Sequence, residues 1–174
     1  FLISLPLITL SIYYQDVAMW VNWVPGEAGK YEEFCERNRM EQLIREPSNT
    51  FSNLAFVWLG FQVLGFAIYD SKNQTFENRL KKYPILSVLL GLALLLLGAG
   101  SFFYHASLSM IAQRWDMTGV YSVMLFLLIY TLLQFIPNKK KLVTGSSFLF
   151  ILGSYLLYYF KWSLNGLIFL PAFI

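Results

Sequence analysis

The chain has 174 residues, of which 57% are hydrophobic and 13% are charged, and its formal net charge at pH 7 is +3. Soluble domains carry about 25% charged residues, so this composition excludes an ordinary soluble domain. No basic patch with interleaved aromatic residues indicates nucleic-acid binding. A single cysteine, Cys35, excludes an internal disulfide and a cysteine-built metal cluster.

The charges are clustered between uncharged stretches of about 19 residues, the length of a helix that crosses the roughly 30 Å hydrocarbon layer. The sequence therefore predicts an all-α, multi-pass transmembrane helical bundle, with residues 1–174 forming one transmembrane domain of five to six spans. The predicted segments, in chain order, are a partial span at 1–15 (a signal peptide is the alternative), a polar acidic segment at 16–50, and spans at 51–69, 85–103, 118–136, 142–160 and 162–174.

The ends of the chain also carry information. It begins at Phe1 rather than Met and stops within an apolar run at Ile174. We therefore expect a fragment of a longer protein.

Lysine and arginine predict the orientation of the spans, because cytoplasmic loops carry an excess of these residues. The two Lys-rich loops, 70–83 and 137–141, are separated by two spans and so lie on the same side, which we expect to be cytoplasmic. The acidic segment and the connection from His105 to Asp116 must then share the opposite, non-cytoplasmic face.

The only histidine, His105, stands near the end of the second complete span, four residues after Ser101. Residues four apart lie on one helix face, and Asp116 begins the next span at the same membrane face. Ionisable groups in a membrane segment favour a functional role. The alternatives are an interfacial histidine, a small packing serine and an acidic residue that stabilises a helix N-terminus.

The acidic segment offers a second group of ligand-type side chains. Calcium takes six to eight oxygen ligands, and this stretch supplies several within a few residues: Glu33, Glu36, Asn38 and Glu46. The spacing is not that of an EF-hand. A solvated charged loop, with Arg37, Arg39 and Arg45 as ion-pair partners, is the alternative.

Taken together, three stretches resemble the alkaline ceramidase family, within the superfamily of membrane hydrolases that includes the adiponectin receptors and a GPI-anchor remodelling lipase. They are "EFCERN", "REPSNTFSNLAF" and "GAGSFFYHASLSMIAQRWDMTGVY". The close similarity covers residues 33–60 and 98–122; the remainder matches only as hydrophobic spans. The order of the motifs, and their positions relative to the spans, make the combination specific.

The resemblance implies two metal sites. It implies His105 as the first of three ligands of a catalytic zinc, with Ser101 and Asp116 as polar partners that place the attacking water or steady the developing oxyanion. It implies a structural calcium bound by the side chains of Glu33, Glu36, Asn38 and Glu46 and by the backbone carbonyl of Phe34. We expect Glu36→Ala to lower stability in calcium and to change the chelated protein little.

The implied function is hydrolysis of the amide bond of ceramide, or of a related membrane lipid, to a long-chain base and a fatty acid. A hydrolase of another lipid amide or ester, and a non-catalytic receptor-like or scaffold protein, are the alternatives. The sequence does not specify the organism, the oligomeric state or the lipid's chain length.

Two features depart from the family pattern. The family completes its zinc site with a His-x-x-x-His pair in the last span, whereas this sequence has one histidine. We expect that the chain is truncated before that span; otherwise it cannot perform the chemistry. At the calcium site, Glu33 stands where the family usually has Asp, and the interval from Asn38 to Glu46 is one residue shorter.

Overall fold

The computed structural model describes residues 19–27, 35–73, 79–135 and 140–160, together with Pro6, Thr9, Tyr13 and Tyr14. Within these residues the fold is helical, and four segments are long and apolar enough to cross a membrane. The prediction of an all-α multi-pass bundle is confirmed. The predicted spans at 1–15 and 162–174 lie outside the described residues, apart from the four isolated positions.

The helices are α1 (Pro47–Ser52), α2 (Leu54–Lys72), α3 (Arg79–Lys82), α4 (Pro84–Ser107), α5 (Met110–Phe135) and α6 (Lys140–Phe160). The first two join at Asn53 into one span, Pro47–Lys72. Pro47 and Pro84 each stand in the first turn of their helix, where the missing N–H is no loss and the fixed φ angle suits helix entry.

Two helices are longer than the predicted spans, because polar residues at their ends also adopt helical conformation. The second span runs to Ser107, beyond the predicted end at 103, and the third begins at Met110, well before the predicted start at 118. Asp116 therefore lies in the second turn of α5 rather than at its start. Because the helix dipole acts mainly on the first turn, it does not explain Asp116.

Helices α4 and α5 pack closely at glycines. A Cβ at Gly119 would lie 2.7 Å from the backbone nitrogen of Leu97, and one at Gly100 would lie 2.8 Å from the carbonyl carbon of Trp115. Small residues let helix backbones approach in membranes. This contact positions the N-terminal half of α5 against the C-terminal turns of α4, where Ser101 and His105 lie.

An apolar core joins α4, α5 and α6 away from this end. Its buried members are Leu86, Leu89, Ala93, Phe126, Leu133, Val143 and Phe150. Many large apolar side chains remain exposed on the outer faces of the helices, among them Trp58, Phe66 and Phe148. In a bundle that spans a membrane, these faces contact lipid rather than water.

Candidate functional site

The site is built around the C-terminus of α4, whose last carbonyl groups have no partner within the helix. The backbone N–H groups of Arg45 and Glu46 donate to the carbonyls of Ala106 and His105, each at 3.1 Å. The Arg45 guanidinium donates to the carbonyl of Ser107 at 2.5 Å. The segment before α1 is thereby held against the end of α4.

Arg45 is an almost fully buried cation in this cap. Its position at the end of a helix is favourable, because the C-terminus carries partial negative charge. Burial lowers the pKa of the guanidinium from its ordinary value. The cost of burying this charge is therefore offset by a direct bond to the helix end, and Arg45 is part of the site's framework.

The connection between α4 and α5 consists of Leu108 and Ser109. Leu108 is fully buried and adopts a left-handed conformation with φ of 47°, which costs a non-glycine residue of order 1 kcal/mol. Two backbone bonds fix it from outside: Gly26 donates to the Leu108 carbonyl at 2.9 Å, and Met110 donates to the Val24 carbonyl at 2.8 Å. The tight turn brings the end of α4 and the start of α5 together.

Ser101 and Asp116 are brought together across the α4–α5 contact. The Ser101 hydroxyl donates to Asp116 Oδ1, and both side chains are buried. The sequence predicted that these residues share one membrane depth, and the structure places them in a direct hydrogen bond.

His105 and Glu46 form the second pair of the site. His105 Nδ1 lies 2.6 Å from Glu46 Oε2, although the two residues are 59 positions apart in the chain. The His105 side chain is 13% exposed and that of Glu46 is fully buried. A buried carboxylate fixes the orientation and the tautomer of the imidazole ring.

The carboxylate of Glu46 has a second feature. Its Oε2 also accepts a bond from the Asn49 side chain at 3.2 Å, whereas its Oε1 is buried without a hydrogen-bond partner among the described residues. The hydroxyl of Thr50, one helical turn further on, is likewise buried and unpartnered there. Because an unsatisfied buried oxygen is costly, this position suits a cation.

Glu36 closes the start of α1. Its two oxygens accept the backbone N–H groups of Ser48 and Asn49, each at 3.0 Å, which are donors that the first turn of a helix leaves unpaired. Burial raises the pKa of the Glu36 carboxyl, but these backbone bonds, a bond from the Ser48 hydroxyl and the charge of Arg39 together lower it below its ordinary value.

This role of Glu36 changes one expectation. The carboxylate anchors the helix entry with protein donors alone, so Glu36→Ala should lower stability in the chelated protein as well as in calcium. The two carboxylate oxygens have about four lone-pair sites between them, and the two backbone bonds and the Ser48 hydroxyl use three of these, so these bonds do not exclude a metal. Glu36 and Glu46 both bond to Asn49, which places them close together.

The remaining predicted calcium ligands are Asn38, Glu33 and Phe34. The Asn38 side-chain oxygen is buried, and Glu33 and Phe34 lie outside the described residues. Among the described residues, no group of three His, Cys, Asp or Glu side chains is arranged to hold a metal ion. The structure thus brings Glu36 and Glu46 of the predicted calcium site to the same residue, Asn49. Of the residues expected at the zinc site, it pairs Ser101 with Asp116, whereas His105 pairs with Glu46.

Sequence reasoning missed three contributors. Arg45 was expected only as an ion-pair partner in a charged loop, and the direct Glu46–His105 contact was not foreseen. Gln113, whose side chain accepts the backbone N–H of Glu27 at 3.1 Å, carried no recognisable motif. The available signal was the adjacent pair Arg45–Glu46 immediately before a proline-initiated helix.

Comparison with known proteins adds the family. The model described as Ceramidase matches residues 29–173, which include every residue of the two hydrogen-bonded pairs. No curated protein matches the chain, and no solved structure matches it. Because the match covers most of the sequence, the chain belongs to the ceramidase family of membrane hydrolases.

Proposed function

We propose that this protein is a zinc-dependent hydrolase that cleaves the amide bond of ceramide, or of a related membrane lipid, to a long-chain base and a fatty acid. Family membership supports a ceramidase-like hydrolase with a lipid substrate. The observation that carries the finer proposal is the pairing of Ser101 with Asp116 and of His105 with Glu46 at one end of the bundle.

His105 suits a zinc ligand in one specific respect. Its Nδ1 faces the Glu46 carboxylate, and metal-binding histidines usually donate their other ring N–H to such a group. Nε2 is then the nitrogen that would hold the metal. A catalytic zinc expects three protein ligands, and the sequence has one histidine, so His105 supplies one part of such a site.

The described residues fit calcium in part. The Oε1 atom of Glu46 is buried and has no hydrogen-bond partner among the described residues, which favours a bound cation. Glu36 accepts the backbone N–H of Asn49, whose side chain bonds to Glu46. We propose that calcium is held by these two carboxylates with Asn38, together with Glu33 and the Phe34 carbonyl. Calcium tolerates variable oxygen geometry, so the shortened interval before Glu46 is compatible with this set.

The two buried pairs have distinct parts in the proposed reaction. Zinc, when bound, would supply a Lewis acid for the scissile carbonyl. Asp116 would accept a proton from the attacking water and return it to the leaving nitrogen. The Ser101 hydroxyl, donating to Asp116, keeps its lone pairs for a donor on water or substrate. Ser101 is not assigned as a nucleophile, since its proton acceptor is a carboxylate and the only histidine pairs with Glu46.

One observation favours a different function. With a single histidine in the sequence, a non-catalytic receptor-like or scaffold member of the family would keep the same fold and the same cap on α4. A hydrolase of another lipid amide or ester would use the same residues as a ceramidase.

We propose that the Lys-rich loops 70–83 and 137–141 face the cytoplasm and that both metal sites lie toward the opposite face.

The deciding experiment measures metal and activity on the purified product of the full open reading frame. We expect about one zinc per chain by elemental analysis, release of fatty acid from ceramide, and loss of both in His105→Ala. Asp116→Asn should keep the zinc and lose activity by about 100-fold or more. A wild-type protein without zinc would contradict the proposal and favour the non-catalytic alternative.

Calcium is tested separately through stability. We expect calcium to raise the melting temperature of the wild type relative to the chelated protein, because a bound ion stabilises only the folded state. Glu46→Gln and Glu36→Ala should remove this increment, while the exposed Glu41→Ala, a matched control from the same segment, should keep it. An increment of equal size in all four proteins would refute the assigned ligands.

A further inference from the structure

A groove lies at the opposite end of the first span from the site, between α2, α3 and the start of α4. Its volume is about 950 Å³. The apolar wall comes from one stripe of α2, with side chains at positions 58, 61, 66 and 69 and the open backbone of Gly65, and from Leu90 of α4. None of the residues placed in the proposed reaction lines it.

The length of the groove matches one leaflet of a bilayer. Trp58 and Asp70 are twelve residues apart on the helix, which at 1.5 Å per residue is about 18 Å. Half of the hydrocarbon layer is about 15 Å. Tyr69, next to Asp70, is of the type that marks the headgroup level of a membrane. The groove therefore runs from headgroup depth toward the middle of the bilayer.

The headgroup end of the groove carries a carboxylate that has no partner among the described residues. Asp70 lines the groove and is 9% exposed, and no hydrogen bond or ion pair to it occurs among the described residues. It stands in the last turn of α2, where negative charge is unfavourable because of the helix dipole. A buried acid at this position is costly for the fold, and an external cation would relieve the cost.

Other polar groups surround this end of the groove. Lys81 of α3 supplies positive charge and Ser87 of α4 a hydroxyl group, while Gln62 lies about 12 Å from Asp70 along α2. A headgroup with one ammonium and one phosphate matches this distribution, with the ammonium at Asp70 and the phosphate toward Lys81. A choline headgroup has no N–H to donate to Asp70, so it matches less well.

We propose that this groove binds a phospholipid with an ethanolamine headgroup, its ammonium on Asp70 and one acyl chain along the stripe from Tyr69 to Trp58. The inference is independent of the proposed hydrolysis, since its ligand is a bilayer lipid at a separate site. Binding can therefore be measured without turnover.

The test is native mass spectrometry of the full-length protein in detergent with equal amounts of ethanolamine and choline phospholipids of the same acyl chains. We expect the wild type to retain the ethanolamine lipid about threefold better, because both headgroups are cationic but only the ethanolamine ammonium donates a hydrogen bond to Asp70, and about threefold is the order of one net hydrogen bond. In Asp70→Asn the ratio should fall to about one. The exposed Ser71→Ala, outside the groove, is the matched control and should keep the preference.

A steric variant tests the acyl-chain path without altering charge. A Cβ at Gly65 meets no atom within 4 Å, and the same holds for Gly145 on α6. Gly65→Leu should fill the groove and reduce retention of both lipids by about threefold, while Gly145→Leu should leave retention unchanged. Because Gly65→Leu leaves Asp70 unchanged, this variant still tests lipid binding in the groove if Asp70→Asn does not fold.

Three outcomes would overturn the proposal. One is equal retention of the two lipids by the wild type, or a preference that survives in Asp70→Asn. Another is displacement of the ethanolamine lipid by an equal concentration of a long-chain base, which would assign the groove to that amine instead. The third is retention of neither lipid together with a lower melting temperature of Gly65→Leu in lipid-free detergent, which would show that a protein segment fills the groove.

Discussion

Two buried carboxylates, Glu46 and Asp70, lie at opposite ends of the first span, and they differ in their hydrogen-bond partners. Glu46 is fully buried, and one of its oxygens bonds to both His105 and Asn49. Asp70 is nearly as buried but has no partner among the described residues. At the Glu46 end, which we call the compensated end, protein groups bind one carboxylate oxygen and the other, Oε1, is left for a cation. At the Asp70 end, no protein group binds either oxygen among the described residues.

The largest effect is expected at the compensated end. Glu46→Ala removes a fully buried carboxylate and leaves the His105 ring nitrogen and the Asn49 amide without their acceptor, so we expect the free energy of unfolding to fall by about 3 kcal/mol. Denaturant unfolding of the detergent-solubilised protein measures it. The exposed Glu41→Ala should change stability by less than about 0.5 kcal/mol, and equal effects of the two variants would show that burial of Glu46 has no energetic weight.

The compensated end also depends on close helix packing, which Gly119 tests. A methyl group there would collide with the backbone of Leu97, which cannot move as a side-chain tip can. We expect Gly119→Ala to lower the free energy of unfolding by about 2 kcal/mol. Gly145→Ala meets open space and should raise it by up to about 1 kcal/mol, because alanine favours helix more than glycine does. Similar values for both substitutions would contradict the α4–α5 contact.

The hydrogen bond between Ser101 and Asp116 should have an intermediate effect. Ser101→Ala leaves one oxygen of the buried Asp116 without its hydroxyl donor, so we expect a loss of about 1.5 kcal/mol. Ser147→Ala, which removes a hydroxyl bonded within its own helix, should lose less than about 0.5 kcal/mol. If the proposed reaction is correct, Ser101→Ala also lowers ceramide hydrolysis, whereas Ser147→Ala leaves it unchanged.

Much of the fold could be predicted from sequence for a simple physical reason. A charge-free stretch of membrane-spanning length has few alternatives to a helix, so the four described spans are evident in the composition. The helix repeat likewise places Ser101 and His105 on one face. Helix ends were less predictable, because polar residues such as Ser107 and Asp116 continue a helix when tertiary contacts satisfy them.

The pairing of Glu46 with His105 could not be derived from local pattern. It depends on the path of the segment before α1, which Arg45 fixes by bonding to the end of α4. Asp70 was equally hidden, since in the sequence it is one charge at the edge of a polar loop. Only the helix register, together with the position of α3, shows that it faces a groove.

The smallest effect, and the sharpest test of the comparison, is expected for Asp70→Asn. In lipid-free detergent the substitution removes, from a helix C-terminus, a negative charge that has no partner among the described residues, so we expect the free energy of unfolding to rise by about 0.5 kcal/mol. In bilayers rich in ethanolamine phospholipid, the wild type gains the ion pair and the sign should reverse. Thermal unfolding in the two environments measures both values. A loss of about 3 kcal/mol in detergent, as expected for Glu46→Ala, would show that Asp70 is compensated within the protein and that the two carboxylates are alike.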